Sequence, residues 1–231
     1  MLLAASADGA EQSATGEELR PAAVLPLRKQ CIVRHSKRGL HMDDETVVLV
    51  RHKLDVDDYD RMANAGIFEE DDRVELIDGE LIDMAPIGQE HAATVGTLTK
   101  VFVLACGEVA TVWCQNPLRI DERNEPQPDF AILRPRADGY RTGNRPGPAD
   151  VLLLVEVVDS SVRFDRQIKL PLYARSSIGE VWIVDLKRRI VDVYRNPTSD
   201  GYGEPKTYQP GERIALMLAP EIVVALDGVF G

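Results

Sequence analysis

Residues 151–185, VLLLVEVVDSSVRFDRQIKLPLYARSSIGEVWIVD, decide the fold. VLLLVEVV at the front is apolar except for Glu156, and EVWIVD at the back is a second apolar strand. Between them, residues 165–176 carry a helical pattern, so the stretch reads strand, helix, strand. Glu156 is its anomaly. Alternation places it on the face of Leu152 and Leu154, where a solvated carboxylate has no place. A carboxylate on such a strand is costly unless a cation, a proton or hydrogen-bond donors compensate it.

Outward from this core the strand and helix signals continue. PDFAIL (128–133) is a strand that Asp129 opens, directly after a proline, and TVWCQNPLRI (111–120) is another. In HAATVGTLTKVFVLAC (91–106), Val95, Leu98 and Phe102 form a helical stripe, with His91 four residues before Val95 on the same stripe. VELIDGELIDM (74–84) signals a hairpin about Asp78-Gly79. Its register puts Ile77 opposite Glu80 and Glu75 opposite Ile82, so Glu75 and Glu80 share one face. DVDDYDRMANAG (55–66) reads as a capped helix, and IVDVYR (190–195) follows KRR as a further hairpin strand. The order predicts an α/β fold with a mixed central sheet flanked by helices, plus a β-hairpin near its start. Residues 1–45 read as a poorly ordered extension with a basic stretch, and 46–231 as the domain, with a short strand near VVLV (47–50).

Composition narrows the function. No apolar run approaches the roughly 20 residues that span a membrane, and the first residues lack the basic and apolar regions of a signal peptide. Cys31, Cys106 and Cys114 show no metal spacing, and an odd count fits a reducing cytoplasm. The net charge of −11 disfavours tight non-specific nucleic-acid binding through the whole surface. The chain has no Gly-rich phosphate loop, no GxSxG and no HExxH.

Asp129, Glu156 and Lys169, on strand, strand and helix, suggest metal-dependent phosphodiester hydrolysis. If the strands of Asp129 and Glu156 are antiparallel neighbours, the start of one meets the end of the other, which is what a shared metal requires. Oxygen ligands of this kind suit Mg²⁺ or Mn²⁺. The alternative for Glu156 is a buried acid satisfied by the Arg-rich loop or by a backbone donor. For Asp129 it is a turn residue after Pro128. Asp165, Lys169 and Tyr173 recur at i, i+4 and i+8, and their alternative is a surface ion pair, with Pro171 leaving the direction of Lys169 open.

RVELIDGELIDM, HAATVGTL, PDFAIL and LLLVEVVDSSVRFDRQIKLPLYARSSIGEVWIVD resemble the Uma-two family of restriction-endonuclease-like proteins, over roughly residues 52–231. The resemblance implies the PD-(D/E)xK nuclease fold and a Mg²⁺-dependent endonuclease acting on DNA. Asp129 matches the aspartate of that pattern and Glu156 its second acid. Val158 stands where the lysine belongs, and the resemblance moves the lysine's role to Lys169. Glu75 matches the additional acid, with Glu80 the weaker candidate, so Asp129, Glu156 and Glu75 are the implied metal ligands. Arg119, Arg123, Arg134, Arg136, Arg141 and Arg145 are candidates for phosphate contacts. His91 is either a site residue or a satisfied core histidine. Two competing readings are a non-catalytic binding or assembly module on a nuclease scaffold, and hydrolysis of a smaller phosphodiester. Cutting both strands of DNA is simplest with two sites on a two-fold axis, which makes a homodimer an expectation.

Overall fold

In the computed structural model, the described residues are 51–69, 71–159 and 161–231. The expected extension over 1–45 and the short strand at 47–50 lie outside them. Residues His52–Gly231 form a compact unit.

Helix α1 (Val56–Asn64) is capped by Asp55, whose side chain accepts from the Asp58 amide while the Asp58 side chain accepts from the Asp55 amide. The hairpin β1 (Val74–Ile77) and β2 (Glu80–Asp83) follows in the predicted register. Asp78 and Gly79 at its tip have φ of 49° and 72°, the left-handed pair that a two-residue turn between twisted strands requires. A Cβ on Gly79 would also fall 2.8 Å from the Leu54 carbonyl, so the turn has room for glycine alone.

Helix α2 (Gln89–Cys106) leads to β3 (Thr111–Cys114), β4 (Phe130–Leu133) and β5 (Val151–Val158). A crossover of α3 (Val162–Phe164), a π-helical turn (Asp165–Lys169) and α4 (Leu170–Arg175) connects β5 to β6 (Glu180–Asp185). Strands β7 (Ile190–Arg195) and β8 (Lys206–Tyr208) complete the sheet, and β9 (Arg213–Ala215) pairs with β10 (Val223–Ala225) as a hairpin. The sheet order is β3-β4-β5-β6-β7-β8. Only the β5–β6 pair is parallel, which makes the six-stranded sheet mixed, as expected, and makes the long crossover necessary.

Both faces of the sheet are covered. On one, Val95, Leu98 and Phe102 of α2 pack on Phe130, Leu153 and Trp182. On the other, Leu172 and Tyr173 of α4 pack with Leu154, Val158 and Ile183. The eight residues of β5 are all buried, in keeping with its place inside the sheet.

Two local expectations are corrected. TVWCQNPLRI is a strand only over Thr111–Cys114, because Gln115 turns the chain at φ 48°. Leu152 does not share the side of Glu156. The β4–β5 register shifts between Ile132 and Leu133, and this bulge sends Leu152 to the α2 side while Leu154 stays beside Glu156.

Candidate active site

Asp129 stands one residue before β4, and Glu156 lies toward the end of β5. Antiparallel pairing of Phe130 with Val155 therefore brings the two acids to one end of the strand pair. The contacts are mutual. The Asp129 amide donates to Glu156 Oε2 at 3.4 Å, and Asp129 Oδ2 accepts from the Val157 amide at 2.8 Å. Glu75 comes to the same place from β1, its Oε2 accepting from the Gln127 amide at 3.0 Å.

Lys169 supplies the cation. Its Nζ lies 3.2 Å from Glu75 Oε1, 3.4 Å from Glu156 Oε1 and 3.9 Å from Asp165 Oδ1. Lys169 is 3 % exposed, so the surface ion pair with Asp165 is ruled out. The π-turn answers the question that Pro171 raised. The Leu170 amide bonds back to the Asp165 carbonyl, five residues earlier, and this wide turn ends just before the residue that has no amide hydrogen. Asp165, Lys169 and Tyr173 all face inward as a result, and Tyr173 donates its hydroxyl to Glu156 Oε1. Arg166, within the same turn, points the other way and pairs with Asp192 at 2.6 Å.

These groups line a cleft of about 380 Å³ that Glu75, His91, Asp129, Glu156, Asp165 and Lys169 share. His91 Nε2 meets Asp129 Oδ2 at 3.1 Å, which takes His91 out of the core and places it at the cleft. Its Nδ1 is buried and has no partner among the described residues. Gln115 Nε2 donates to Asp129 Oδ1 at 3.2 Å. Sequence reasoning missed Gln115 and also Arg73, which lines the cleft; neither carries a motif, and only the fold brings them there. Glu80 shares the face of Glu75 but lies outside the cleft, paired with Lys53 at 2.8 Å.

The electrostatics follow from burial. Loss of water pushes Glu156 up to about 8, and Asp165 and Asp129 add to this against the opposing pull of Lys169 and Tyr173. Asp165 is raised for the same first reason. Burial works against the Lys169 ammonium, but Glu156, Glu75 and Asp165 outweigh it and hold the lysine charged. The hydrogen bond to Asp129 raises His91. Glu75, Glu156 and Asp165 face the Lys169 ammonium, and Asp129 lies beside Glu156. Hard oxygen donors of this kind suit a divalent cation. Among the described residues, no three His, Cys, Asp or Glu side chains are grouped so as to hold a metal ion.

Three of the six proposed arginines are paired with carboxylates of the protein itself. Arg119 donates to Glu125 at 2.8 Å and to Asp60 at 2.6 Å. Arg145 pairs with the same two acids, and Arg136 pairs with Asp138. A guanidinium bound to a carboxylate has fewer donors left for a phosphate.

A mixed sheet with helices on both faces, and acids converging on a buried lysine at one end of its central strands, define a restriction-endonuclease-like α/β protein. A family profile described as "Putative restriction endonuclease", Uma2, matches residues 56–227. The chain belongs to this family. Among solved structures, a "putative nuclease belonging to DUF820" from Anabaena variabilis ATCC 29413 has the same fold, with a TM-score of 0.60 at 16% identity, over 77% of this chain and 97% of that one. No curated protein matches the chain.

Proposed function

We propose that this protein is a metal-dependent endonuclease that hydrolyses DNA phosphodiester bonds. The observation that carries this reading is the Lys169 ammonium, held beside Glu156 and Glu75 in the cleft that Asp129 enters. Asp129 and Glu156 would hold Mg²⁺ or Mn²⁺, with Glu75 reaching it directly or through water. Bound there, the ion would supply Lewis-acid stabilisation of the scissile phosphate and an acidified water. The chain's own groups do the rest. Lys169 places a fixed positive charge where charge develops on the phosphate in the transition state. Tyr173 and the Asp129 amide fix the two oxygens of Glu156, while Gln115, His91 and the Val157 amide fix those of Asp129. Such anchoring sets ligand direction before substrate arrives.

A second reading keeps the fold without the chemistry, as a binding or assembly module. The absence of a gathered set of three ligands among the described residues favours it. Plasmid cleavage with Mg²⁺ or Mn²⁺ separates the two. The nuclease reading expects metal-dependent nicking or linearisation by the wild type and none by Asp129→Ala. No cleavage by a folded wild type with either metal supports the module. A cytoplasmic site of action accompanies the proposal, on the odd count of cysteines; no helix among the described residues is long and apolar enough to cross a membrane. A homodimer also accompanies it, for cutting two strands.

A further inference from the structure

We propose, resting on the nuclease reading, that the cleft takes an unpaired nucleotide, so that the substrate is single-stranded or locally unpaired nucleic acid rather than an intact duplex. The floor of the cleft is charged, and its outer wall mixes Arg73, Asp83 and Asp159 with an apolar segment. Met84, Pro86 and Ile87, on the segment between β2 and α2, form an apolar lip, with Ile87 43 % exposed. Phe164, at the end of α3, also lines the cleft, and its half-buried ring stacks on no other aromatic side chain among the described residues. An apolar lip and an unstacked ring above a cation-binding floor match a ligand with a flat apolar body and an anionic phosphate. Stacking on an aromatic side chain is how single strands are held without sequence reading.

Depth and charge both argue against a paired strand. Glu156 and Asp129 are 3 % and 8 % exposed, so a reacting phosphate must descend to them. A nucleotide inside a base-paired stack reaches such a floor only by leaving the stack, and an unpaired one does so at lower cost. Duplex binding draws on many phosphate contacts, whereas three of the six arginines around the site strands, Arg119, Arg136 and Arg145, are paired within the protein and the net charge is −11. Arg73 is nearer the acids. It lines the cleft, forms no ion pair with a carboxylate among the described residues, and donates only a long bond to the Ala85 carbonyl at 3.4 Å. It is positioned for the phosphate of the nucleotide whose base rests on the lip.

The experiment measures binding and cleavage separately, with the full chain. Fluorescence anisotropy, with Ca²⁺ replacing Mg²⁺ to hold back cleavage, compares a short single-stranded oligonucleotide with the blunt duplex of the same sequence. The single strand should bind more tightly. Phe164→Ala should weaken it by about 5-fold or more, Phe164→Tyr should restore it, and the weak duplex binding should not respond. Arg73→Ala should weaken single-strand binding and flatten its salt dependence. With Mg²⁺, single strands or unpaired junctions should be cut faster than duplex. Tighter binding and faster cutting of duplex overturns the inference and leaves the nuclease reading standing. Single-strand binding that depends on Phe164, without cleavage, sinks the nuclease reading and retains the inference. Circular dichroism of each variant guards against loss of fold, and a folded Phe164→Leu that binds like wild type overturns the role of the ring.

Discussion

Tyr173 and Glu156, 17 positions apart in sequence, are joined by a 2.6 Å hydrogen bond between a helix of the crossover and the strand that precedes it. Both side chains are buried, so the phenol holds Glu156 Oε1 in a place that water does not reach. Tyr173→Phe keeps the ring and removes the donor. It should lower stability by about 1–3 kcal/mol, the range for a hydrogen bond to a charged or partly charged acceptor. Urea unfolding measures this, and cleavage should fall while secondary structure is unchanged.

Glu156 gives a stability signature against pH. Its folded-state value of about 8 lies above the 4.5 of an ordinary glutamic acid, so the folded chain binds the extra proton between these limits. The contribution of this group to stability is therefore full below about 4.5 and is lost as pH rises through about 8. Glu156→Gln should remove that slope. The metal-free variant should be as stable as wild type at low pH and more stable near pH 8, and it should not cleave. Chemical denaturation across this range tests the sign, and a clear loss of metal-free stability would show Glu156 to be an ion-paired structural residue.

Among the described residues, Lys169 is the one ammonium facing Glu75, Glu156 and Asp165. Removing it as Lys169→Ala leaves those acids uncompensated, at a cost of about 3–5 kcal/mol near neutral pH. The cost should shrink at acid pH, where the raised acids take up protons, and added Mg²⁺ should recover part of it. Turnover should fall far more than DNA affinity, and Lys169→Arg should not restore it, since a planar fork does not replace a compact ammonium in a closed site. Thermal melts with and without Mg²⁺, beside single-turnover cleavage, give both readouts.

Arg119 bridges Glu125 and Asp60, and Glu125 is fully buried. Arg119→Ala should therefore destabilise the protein, by about 2–4 kcal/mol given that Arg119 itself is partly exposed. Nucleic-acid affinity of the folded fraction should stay near wild type. A large loss of affinity with unchanged stability would return Arg119 to the phosphate-binding surface.

What the sequence made legible follows a physical division. Glu156 could be singled out because it interrupts an apolar strand, a local anomaly that burial makes expensive, and Asp129, which opens the neighbouring strand, only in combination with it. The hairpin register about Asp78-Gly79 could be read because a two-residue turn leaves no freedom. Lys169 was named, but its direction could not be derived, since the π-turn that aims it depends on how Pro171 is accommodated in the packed crossover. The β-bulge that moved Leu152 to the opposite face is set by pairing with β4, which no local pattern records. Gln115 and the partners of Arg119 and Arg145 lay beyond reach for a similar reason. Each depends on residues that only tertiary structure brings close.

The parallel pairing of β5 with β6 places the lysine on a connection that comes after both strands carrying Asp129 and Glu156. During synthesis the acids thus emerge first, and can pair as antiparallel neighbours while their counter-charge is still unmade. Docking of β6 is what brings the crossover, and with it the Lys169 ammonium, up to Glu156 and Glu75. Closure of the one parallel strand pair and delivery of the counter-charge are therefore a single event in the making of this fold.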